Sequence, residues 1–398
     1  MKAPDDRTSF PRPHGADRAA LLNAGGLTPR IATVARALPT ILVVLLIVAF
    51  MGPGSSAGPK TSRVAVTLRS ARSWSIRSID TMAWSKDHLY GQIQASVIYG
   101  LLATDRSAGA NTVAIEVPYD SASSYSPPVT PGYEATWVDT AHALGLHVWF
   151  RSQWNNWQGD YGFAKETPAT NPGRQLGTAG AVLAGKEADS YLGLTYRWIL
   201  SNPEYFRSGD IFTPAAEPDN AGVEPYCTSE CMFSSADLFN QWLQDSMTVA
   251  RAAFTSEHVD VRVGYWGISG WNATHGLLTR ATVEDMGILA VDDYFKSPRA
   301  LQANLASIES TYHVPLVVGE WGDIWDGGDQ SVMVPEIDSI MSSVARLAYV
   351  QGFNYWRDIG ESQGEGIVDP TTLQLNLAGL EVSHWFHVMG GDEGQGAA

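Results

Sequence analysis

The chain has 398 residues, 44% of them hydrophobic, and a formal net charge of −16. That length suits one large domain or two ordinary ones, and the apolar content is enough for a sizeable core. So acidic a chain excludes nucleic acid as a partner, because phosphates require a basic surface. The 14 Trp and 15 Tyr serve either as core residues or as stacking platforms for uncharged ligands such as sugars.

The N-terminal part of the sequence, residues 1–57, is typical of a targeting segment. A polar extension with basic residues precedes an apolar block at 37–51, which is short for a membrane span but suits a signal peptide. Small residues for cleavage follow at 55–57, although an uncleaved signal anchor is equally compatible with the pattern. In either case the rest of the chain is expected outside the cytoplasm, secreted or membrane-anchored. Residues 58–75 are predicted to be a linker.

Cysteine usage agrees with export. The two cysteines, Cys227 and Cys231, are too few for a zinc site. In an exported protein they favour a short disulfide that closes a loop, and two free thiols are the alternative.

Strand and helix patterns alternate from residue 76 to 390, and a Gly-rich tail follows at 391–398. Apolar runs bounded by turn residues predict strands, and apolar residues at helical spacing predict helices. The predicted strands are 78–84, 112–119, 146–151, 210–218, 261–267, 288–295, 314–321 and 352–357. The helices between and after them are predicted at 87–108, 133–144, 188–200, 236–256, 281–286, from 298 onward, 335–349 and 371–389.

Eight such units in one series predict a single (β/α)8 TIM barrel of the α/β class with long βα loops. An open doubly wound sheet is the alternative. No Gly-rich phosphate fingerprint follows the first predicted strand, which counts against that alternative.

Two carboxylates stand at predicted strand ends. Glu320 follows the apolar run 314–318, and Glu217 follows the fourth predicted strand. In a parallel barrel the carboxyl ends of the strands share one face, where the chemistry is done. Cleavage of an acetal needs one acid to protonate the leaving oxygen and one carboxylate to handle the cationic centre. The two glutamates can meet only across the mouth of a closed barrel.

The motifs Ala216-Glu217-Pro218 and Val318-Gly319-Glu320-Trp321 resemble those of the clan A glycoside hydrolases, the cellulase and mannanase superfamily. The resemblance implies that Glu217 is the acid/base, that Glu320 is the nucleophile and that configuration is retained. It also implies that Tyr294 hydrogen-bonds the nucleophile and that Trp356 forms the floor of the subsite for the attacked sugar.

The motifs depart from the superfamily at two points. Ala216 stands where an Asn normally holds the sugar 2-hydroxyl, and Asn220 or Gln153 is the substitute that we expect. The usual basic residue of the second strand is missing, and Arg151 on the third strand is expected to keep a carboxylate ionised. An interior ion pair with Glu116 is the alternative role of Arg151.

Aromatic and acidic residues near the strand ends complete the predicted site. Trp154, Trp266 and Trp321 lie in or near predicted βα loops and are expected to line a substrate groove. Asp292 and Asp293 are interpreted as solvated or ion-paired residues, with support of the sugar site as the alternative.

The sequence therefore predicts an exported, retaining glycosidase that acts on a β-linked glycan as a monomer. We expect no metal and no cofactor, and a membrane contact only if the N-terminal segment stays attached. A catalytically inactive carbohydrate-binding barrel is the second hypothesis, motivated by Ala216. A lyase or esterase barrel is a third, against which the chain has no Gly-x-Ser-x-Gly elbow and no cofactor signature.

Overall fold

The computed structural model describes residues 73–81, 85, 93–117, 133–152, 176–225, 231–322, 328–360 and 366–391. All of them belong to one compact unit, Thr67–Ala398. The predicted targeting segment, most of the linker and all but one residue of the tail lie outside these ranges. Within the ranges, every helix is too short or too polar to cross a bilayer.

The sheet has parallel strand pairs throughout, and the strand order is β5-β4-β3-β2-β1-β9-β8-β7-β6. The predicted (β/α)8 class is therefore confirmed. The strands are β1 (Ile76–Asp80), β2 (Thr112–Val117), β3 (His147–Ser152), β4 (Ile211–Thr213), β5 (Arg262–Val263), β6 (Ile268–Ser269), β7 (Leu289–Asp292), β8 (Leu316–Trp321) and β9 (Val350–Tyr355).

The fifth barrel position is divided between two short strands. β5 pairs with β4 and β6 pairs with β7, so nine strands occupy eight positions. Between them, Gly264, Tyr265 and Gly267 have positive φ angles. Such a backbone cannot continue an extended ladder, and the predicted strand 261–267 is therefore wrong in its second half. The hydroxyl of Thr213 donates to the Gly264 carbonyl at 2.9 Å and joins this segment to β4.

The helices cover the outside of the sheet. They are α1 (Ala95–Ser107), α2 (Tyr133–Ala143), α3 (Ala179–Leu183), α4 (Tyr191–Ser201), α5 (Ala236–Ser256), α6 (Gly270–Thr274), α7 (Arg280–Met286), α8 (Pro298–Tyr312), α9 (Gln330–Val344) and α10 (Leu377–Gly390). Ser297 caps α8 as predicted, and its hydroxyl accepts the Ala300 N–H. The prediction that a helix starts at Pro335 was wrong, because Asp329 caps α9 one and a half turns earlier.

The core has two layers. A large cluster fills the space between sheet and helices, and a smaller one fills the barrel interior. The interior cluster contains Ile76, Trp149, Ala290 and Val317 from β1, β3, β7 and β8, among others. Side chains alternate between the two faces of a strand. A residue two positions after an interior apolar residue therefore also points into the barrel, closer to the carboxyl end of the strand, and several such residues are polar. The next interior layer is the polar cluster described below.

At the opposite, amino end of the barrel, Asp210 immediately precedes β4. Its carboxylate is fully buried and accepts the Val148 N–H at 2.9 Å, and His142 Nε2 lies 3.0 Å from it. Burial raises the pKa of Asp210, but hydrogen bonds to His142, to His147 and from Val148 outweigh it, so the net pKa is lowered. This carboxylate therefore stabilises the end of the barrel that carries no chemistry.

Replacing Asp210 with Asn should cost about 1 to 3 kcal/mol at neutral pH, because buried donors lose a charged acceptor. A carboxyl whose folded pKa is lowered stabilises above its unfolded value, about 3.9. The difference in the free energy of unfolding between wild type and Asp210→Asn should therefore shrink as pH falls below about 4. Urea unfolding at several pH values measures it. A pH-independent difference would contradict this account, and the exposed Asp285→Asn serves as control.

Candidate active site

Glu320 lies inside the barrel near its carboxyl end because β8 contains a bulge. The pairing of β8 shifts register around Gly319, which leaves this glycine as the extra residue. A bulge reverses the alternation of faces, so Glu320 points into the same interior as Val317. Glu320 is 4% exposed. The Gly319 carbonyl accepts a hydrogen bond from the Asn354 side chain at 2.8 Å, which holds the bulge in place.

Two side chains hold the Glu320 carboxylate. The Tyr294 hydroxyl donates to Oε2 at 2.8 Å, and the Arg151 guanidinium contacts Oε1. Burial and the nearby Glu320 raise the pKa of Tyr294 well above its ordinary value, so the phenol keeps the proton that it donates. Glu320 therefore has a hydrogen-bond donor at one carboxylate oxygen and a positive charge at the other.

Arg151 is fully buried at the centre of several carboxylates. Its guanidinium lies 3.0 Å from Asp80 Oδ2 and 3.5 Å from Asp292 Oδ2, in addition to the contact with Glu320. Burial lowers the pKa of Arg151, but Glu320, Asp292, Asp80 and Glu217 outweigh it and raise the pKa well above its usual value. The side chain of Glu116, the alternative partner, lies outside the described residues.

Glu217 stands four residues beyond the end of β4 in a left-handed backbone conformation, with φ 47° and ψ 54°. Its N–H donates to the Trp266 carbonyl at 2.9 Å, and the 3-10 helix Pro218–Ala221 follows it. Such a conformation in a non-glycine residue costs about 1 to 3 kcal/mol and is common at functional sites. Glu217 is partly exposed, whereas Glu320 is almost completely buried.

The glutamates converge. Carboxylate oxygens of Glu217, Asp292 and Glu320 all lie within 4.8 Å of one another. Retaining glycosidases need carboxyl groups about 5 to 5.5 Å apart, and inverting enzymes need about 6.5 to 9.5 Å to admit a water. The spacing fits direct attack by a carboxylate. The trio also has the spacing of a cation site, but Arg151 already places a positive charge among these acids.

The remaining residues that the sequence singled out are placed as follows. Trp356 is half-buried after β9, and Gly322 passes so close to its carbonyl that any side chain there would collide with it. Asn220 is exposed, and Ala216 is fully buried with its N–H on the Ser152 carbonyl. Gln153, Trp154 and Cys227 lie outside the described residues, so their roles and the disulfide stay predictions.

The predicted groove positions of Trp266 and Trp321 were wrong. Trp266 is 0% exposed and packs against Trp242 of α5. Trp321 is 2% exposed, and its indole N–H donates to the Phe295 carbonyl at 3.1 Å. Trp321 follows the inward-facing Glu320, so alternation turns it toward the helices.

Sequence reasoning missed several members of the site. Asp80 accepts hydrogen bonds from Arg151 and from Asn354 at 3.0 and 2.9 Å. Asp292 and Asp293 are buried, so the solvated alternative was wrong, whereas the ion-paired alternative holds for Asp292, which contacts Arg151. A polar residue that ends an apolar strand is the signal that could have pointed to Asp80 and Asp292.

The loop that carries Glu217 is also hydrogen-bonded to the next βα unit. Asp219 is buried and accepts the Ser269 N–H at 3.1 Å and the Asn272 side-chain amide at 2.7 Å. Burial raises the pKa of Asp219, and these two hydrogen bonds oppose the rise. The neighbouring Trp271 is 53% exposed and stacks on the His275 ring at 4.0 Å, which makes it an exposed aromatic surface on this side of the site.

Replacing Tyr294 with Phe should lower turnover without changing the fold, because only the hydroxyl that donates to Glu320 is lost. A hydrogen bond to a charged group is worth about 1.5 to 3 kcal/mol, which corresponds to roughly a 10- to 150-fold loss in kcat. Steady-state kinetics on an aryl β-glycoside measure it, with Tyr312→Phe, a buried tyrosine bonded to two carbonyls, as control. An unchanged kcat for Tyr294→Phe would remove this tyrosine from the site.

No family model matches the chain, and no curated protein sequence matches it either. Solved structures do match. A GH5-4 broad specificity endoglucanase from Clostridium acetobutylicum has a TM-score of 0.55 and 14% identity, covering 77% of this chain and 96% of that one. A GH5_18 protein from Streptomyces cattleya in complex with GlcNAc has a TM-score of 0.57 and 15% identity, covering 79% and 80%.

Fungal β-1,4-galactanases are similar as well, with a TM-score of 0.52 and 13% identity, covering 78% of this chain and 98% of the other. At such identities the likeness concerns the fold. The chain has the same barrel fold as these glycoside hydrolases, which is the fold that the resemblance of the strand-end motifs implies.

Proposed function

We propose that this protein is a retaining glycoside hydrolase that acts on a β-linked glycan, with Glu217 as acid/base and Glu320 as nucleophile. The observation that carries the proposal is the approach of the Glu217 and Glu320 carboxylates, within 4.8 Å, in a barrel of the glycosidase type. Arg151 places a positive charge and Tyr294 a hydrogen-bond donor on the Glu320 carboxylate, which suits a carboxylate nucleophile.

The geometry supports the following sequence of events. Glu217 donates a proton to the glycosidic oxygen while a Glu320 oxygen attacks the anomeric carbon, so the glycosidic bond breaks and an ester bond forms. Glu217, now ionised, takes a proton from a water that attacks the same carbon and releases Glu320. The partial exposure of Glu217 suits contact with the leaving group and with water, and the burial of Glu320 suits an attacking carboxylate.

The β-linkage is supported by structurally similar proteins. One is recorded in complex with Manβ1-4GlcNAc and another, a lichenase, with cellotetraose. We infer that this chain accepts a β-linked oligosaccharide, and a panel of aryl β-glycosides and β-glycans tests it. Turnover of any member that is lost in Glu320→Ala supports the enzyme. Binding without turnover, in wild type and variants alike, would instead favour the inactive carbohydrate-binding barrel that Ala216 suggests.

We also propose that the protein is exported, on the evidence of the sequence alone. The apolar block 37–51 followed by small residues at 55–57 supports a signal segment. Expression in a secreting host should release or expose the barrel outside the cytoplasm, and mass spectrometry of the exported chain should show whether cleavage occurs near Ala57. Retention of the full-length chain in the cytoplasm would contradict the proposal.

A further inference from the structure

Asp292 lies in a niche that two glycines make for it. It ends β7 and is 7% exposed, and its carboxylate approaches both Glu217 and Glu320. A Cβ on Gly319 of β8 would collide with Asp292 Oδ1, and one on Gly267, whose φ is +68°, would come within 2.5 Å of Oδ2. The segments on both sides of β7 thus lack side chains where this carboxyl needs room, so Asp292 is a built part of the site.

Acidic groups outnumber the basic one around Asp292. Asp80, Asp292 and Glu320 share the single guanidinium of Arg151, and Glu217, which lies close to Asp292 and Glu320, is a fourth acid. The charged groups that act on Asp292 are Glu320, Arg151, Glu217 and Asp219. Even with the proton that the proposed mechanism requires on Glu217, the three acids that share Arg151 cannot all be ionised at low cost beside one cation, since like charges disfavour ionisation and burial adds to the effect.

The contacts indicate which member of the cluster carries the proton. Asp292 has the longest contact with Arg151, 3.5 Å, whereas Glu320 has a closer one and also the Tyr294 hydroxyl. Within the described residues, neither Asp292 Oδ1 nor Glu320 Oε1 accepts a hydrogen bond although both are buried, but Glu320 Oε1 is in contact with Arg151. Burial and Glu320 raise the pKa of Asp292 well above its ordinary value, and Arg151 opposes them.

We propose that Asp292 is a positioning residue of the catalytic site that is uncharged in the resting protein and thereby leaves the Arg151 guanidinium to the nucleophile Glu320. This inference rests on the proposed glycosidase function. Besides the proton on Glu217, the crowded cluster retains a second one, which sits on Asp292 instead of on the nucleophile. Asp292 acts through Arg151 and Glu320, and it takes no bond-forming step itself.

Infrared difference spectroscopy tests the protonation state directly. At about pH 6, where an ordinary aspartate is ionised, wild type minus Asp292→Asn should contain the C=O band of a carboxylic acid. Asp293→Asn is the matched control, because Asp293 is equally buried but bonds to Asn304 at 2.6 Å, outside the trio. Burial raises the pKa of Asp293 to about 7, so its own acid band should disappear as pH rises through that value.

Carboxylate bands in place of the acid band would overturn the proposal. If Asp292→Asn does not fold, Asp292→Ala takes its place in the difference spectrum, since a smaller side chain fits the niche. Because the spectrum needs no substrate, it decides the protonation state even if the wild-type protein hydrolyses no glycoside. The inference and the proposed function can therefore fail separately.

Kinetics provide the second readout. Asp292→Asn keeps the shape and the neutral state, so the acidic limb of its kcat/KM pH profile should not move, whatever the change in the size of kcat/KM. A shift of that limb would show that Asp292 is charged in the wild-type protein, contrary to the proposal. Asp292→Glu should lose activity, because the longer side chain does not fit the space beside Gly267 and Gly319. Such a loss would show that this position does not accept every acidic side chain.

Discussion

Replacing Glu320 with Ala should lower kcat/KM for β-glycosides by about 10⁴-fold or more, since removal of a catalytic nucleophile from a coordinated site commonly has effects of that size or larger. The Arg151 guanidinium keeps Asp80 and Asp292 as partners when Glu320 is removed, so the variant protein should still fold. Kinetics on an aryl β-glycoside measure the loss, and circular dichroism checks the fold.

The leaving group distinguishes the two glutamates. Glu320→Ala should fail on every substrate, because no ester bond to the protein can form. Glu217→Ala should keep more of the first step when the leaving group is a nitrophenolate that needs no proton, and its loss should be largest on natural glycans. Glu284→Gln, an exposed glutamate on α7, is the matched control. Equal losses on all substrates for both active-site variants would contradict the assigned roles.

Replacing Arg151 with Met should destabilise the protein by about 3 to 5 kcal/mol, because a buried ion pair that loses one partner leaves an uncompensated charge. Arg151 is fully buried and contacts three carboxylates. Urea unfolding at neutral pH measures the change. Adding Asp80→Asn to the variant should recover part of the loss, since one uncompensated acid is then removed.

Arg251→Met is the control for this experiment. Arg251 pairs with Asp285 at 2.8 Å, but both side chains are about two-fifths exposed, so the expected change is below about 1 kcal/mol. If the two variants lost equal stability, the Arg151 cluster would not be an organising element of the barrel.

The barrel and its two glutamates could be predicted because both depend on patterns that the sequence shows directly. Strand and helix periods alternate eight times, and Glu320 ends an apolar run. Once Glu320 is placed facing the interior, alternation turns the next residue, Trp321, away from the site. Trp266 was misplaced because its predicted strand is interrupted by residues with positive φ, which composition does not reveal.

The acidic cluster around Arg151 could not be predicted from the sequence. Asp80 and Asp292 belong to strands more than 200 residues apart, and only closure of the barrel brings both to one guanidinium. The first strand also begins two residues earlier than predicted, so the interior face of Asp80 was not recognised. A bulge at Gly319 decides the direction of Glu320, and a bulge depends on pairing with neighbouring strands.

The division of the fifth barrel position has a consequence for heat tolerance. Glu320 belongs to a six-residue strand that is paired on both sides, whereas Glu217 follows a three-residue strand and is fastened to Trp266 by its amide. A shorter stretch of ordered backbone has to loosen to displace Glu217 than to displace Glu320. On heating, activity should therefore be lost at a lower temperature than that at which the barrel unfolds. Substitutions that strengthen the break between β5 and β6 should be the first to raise the temperature at which activity is lost.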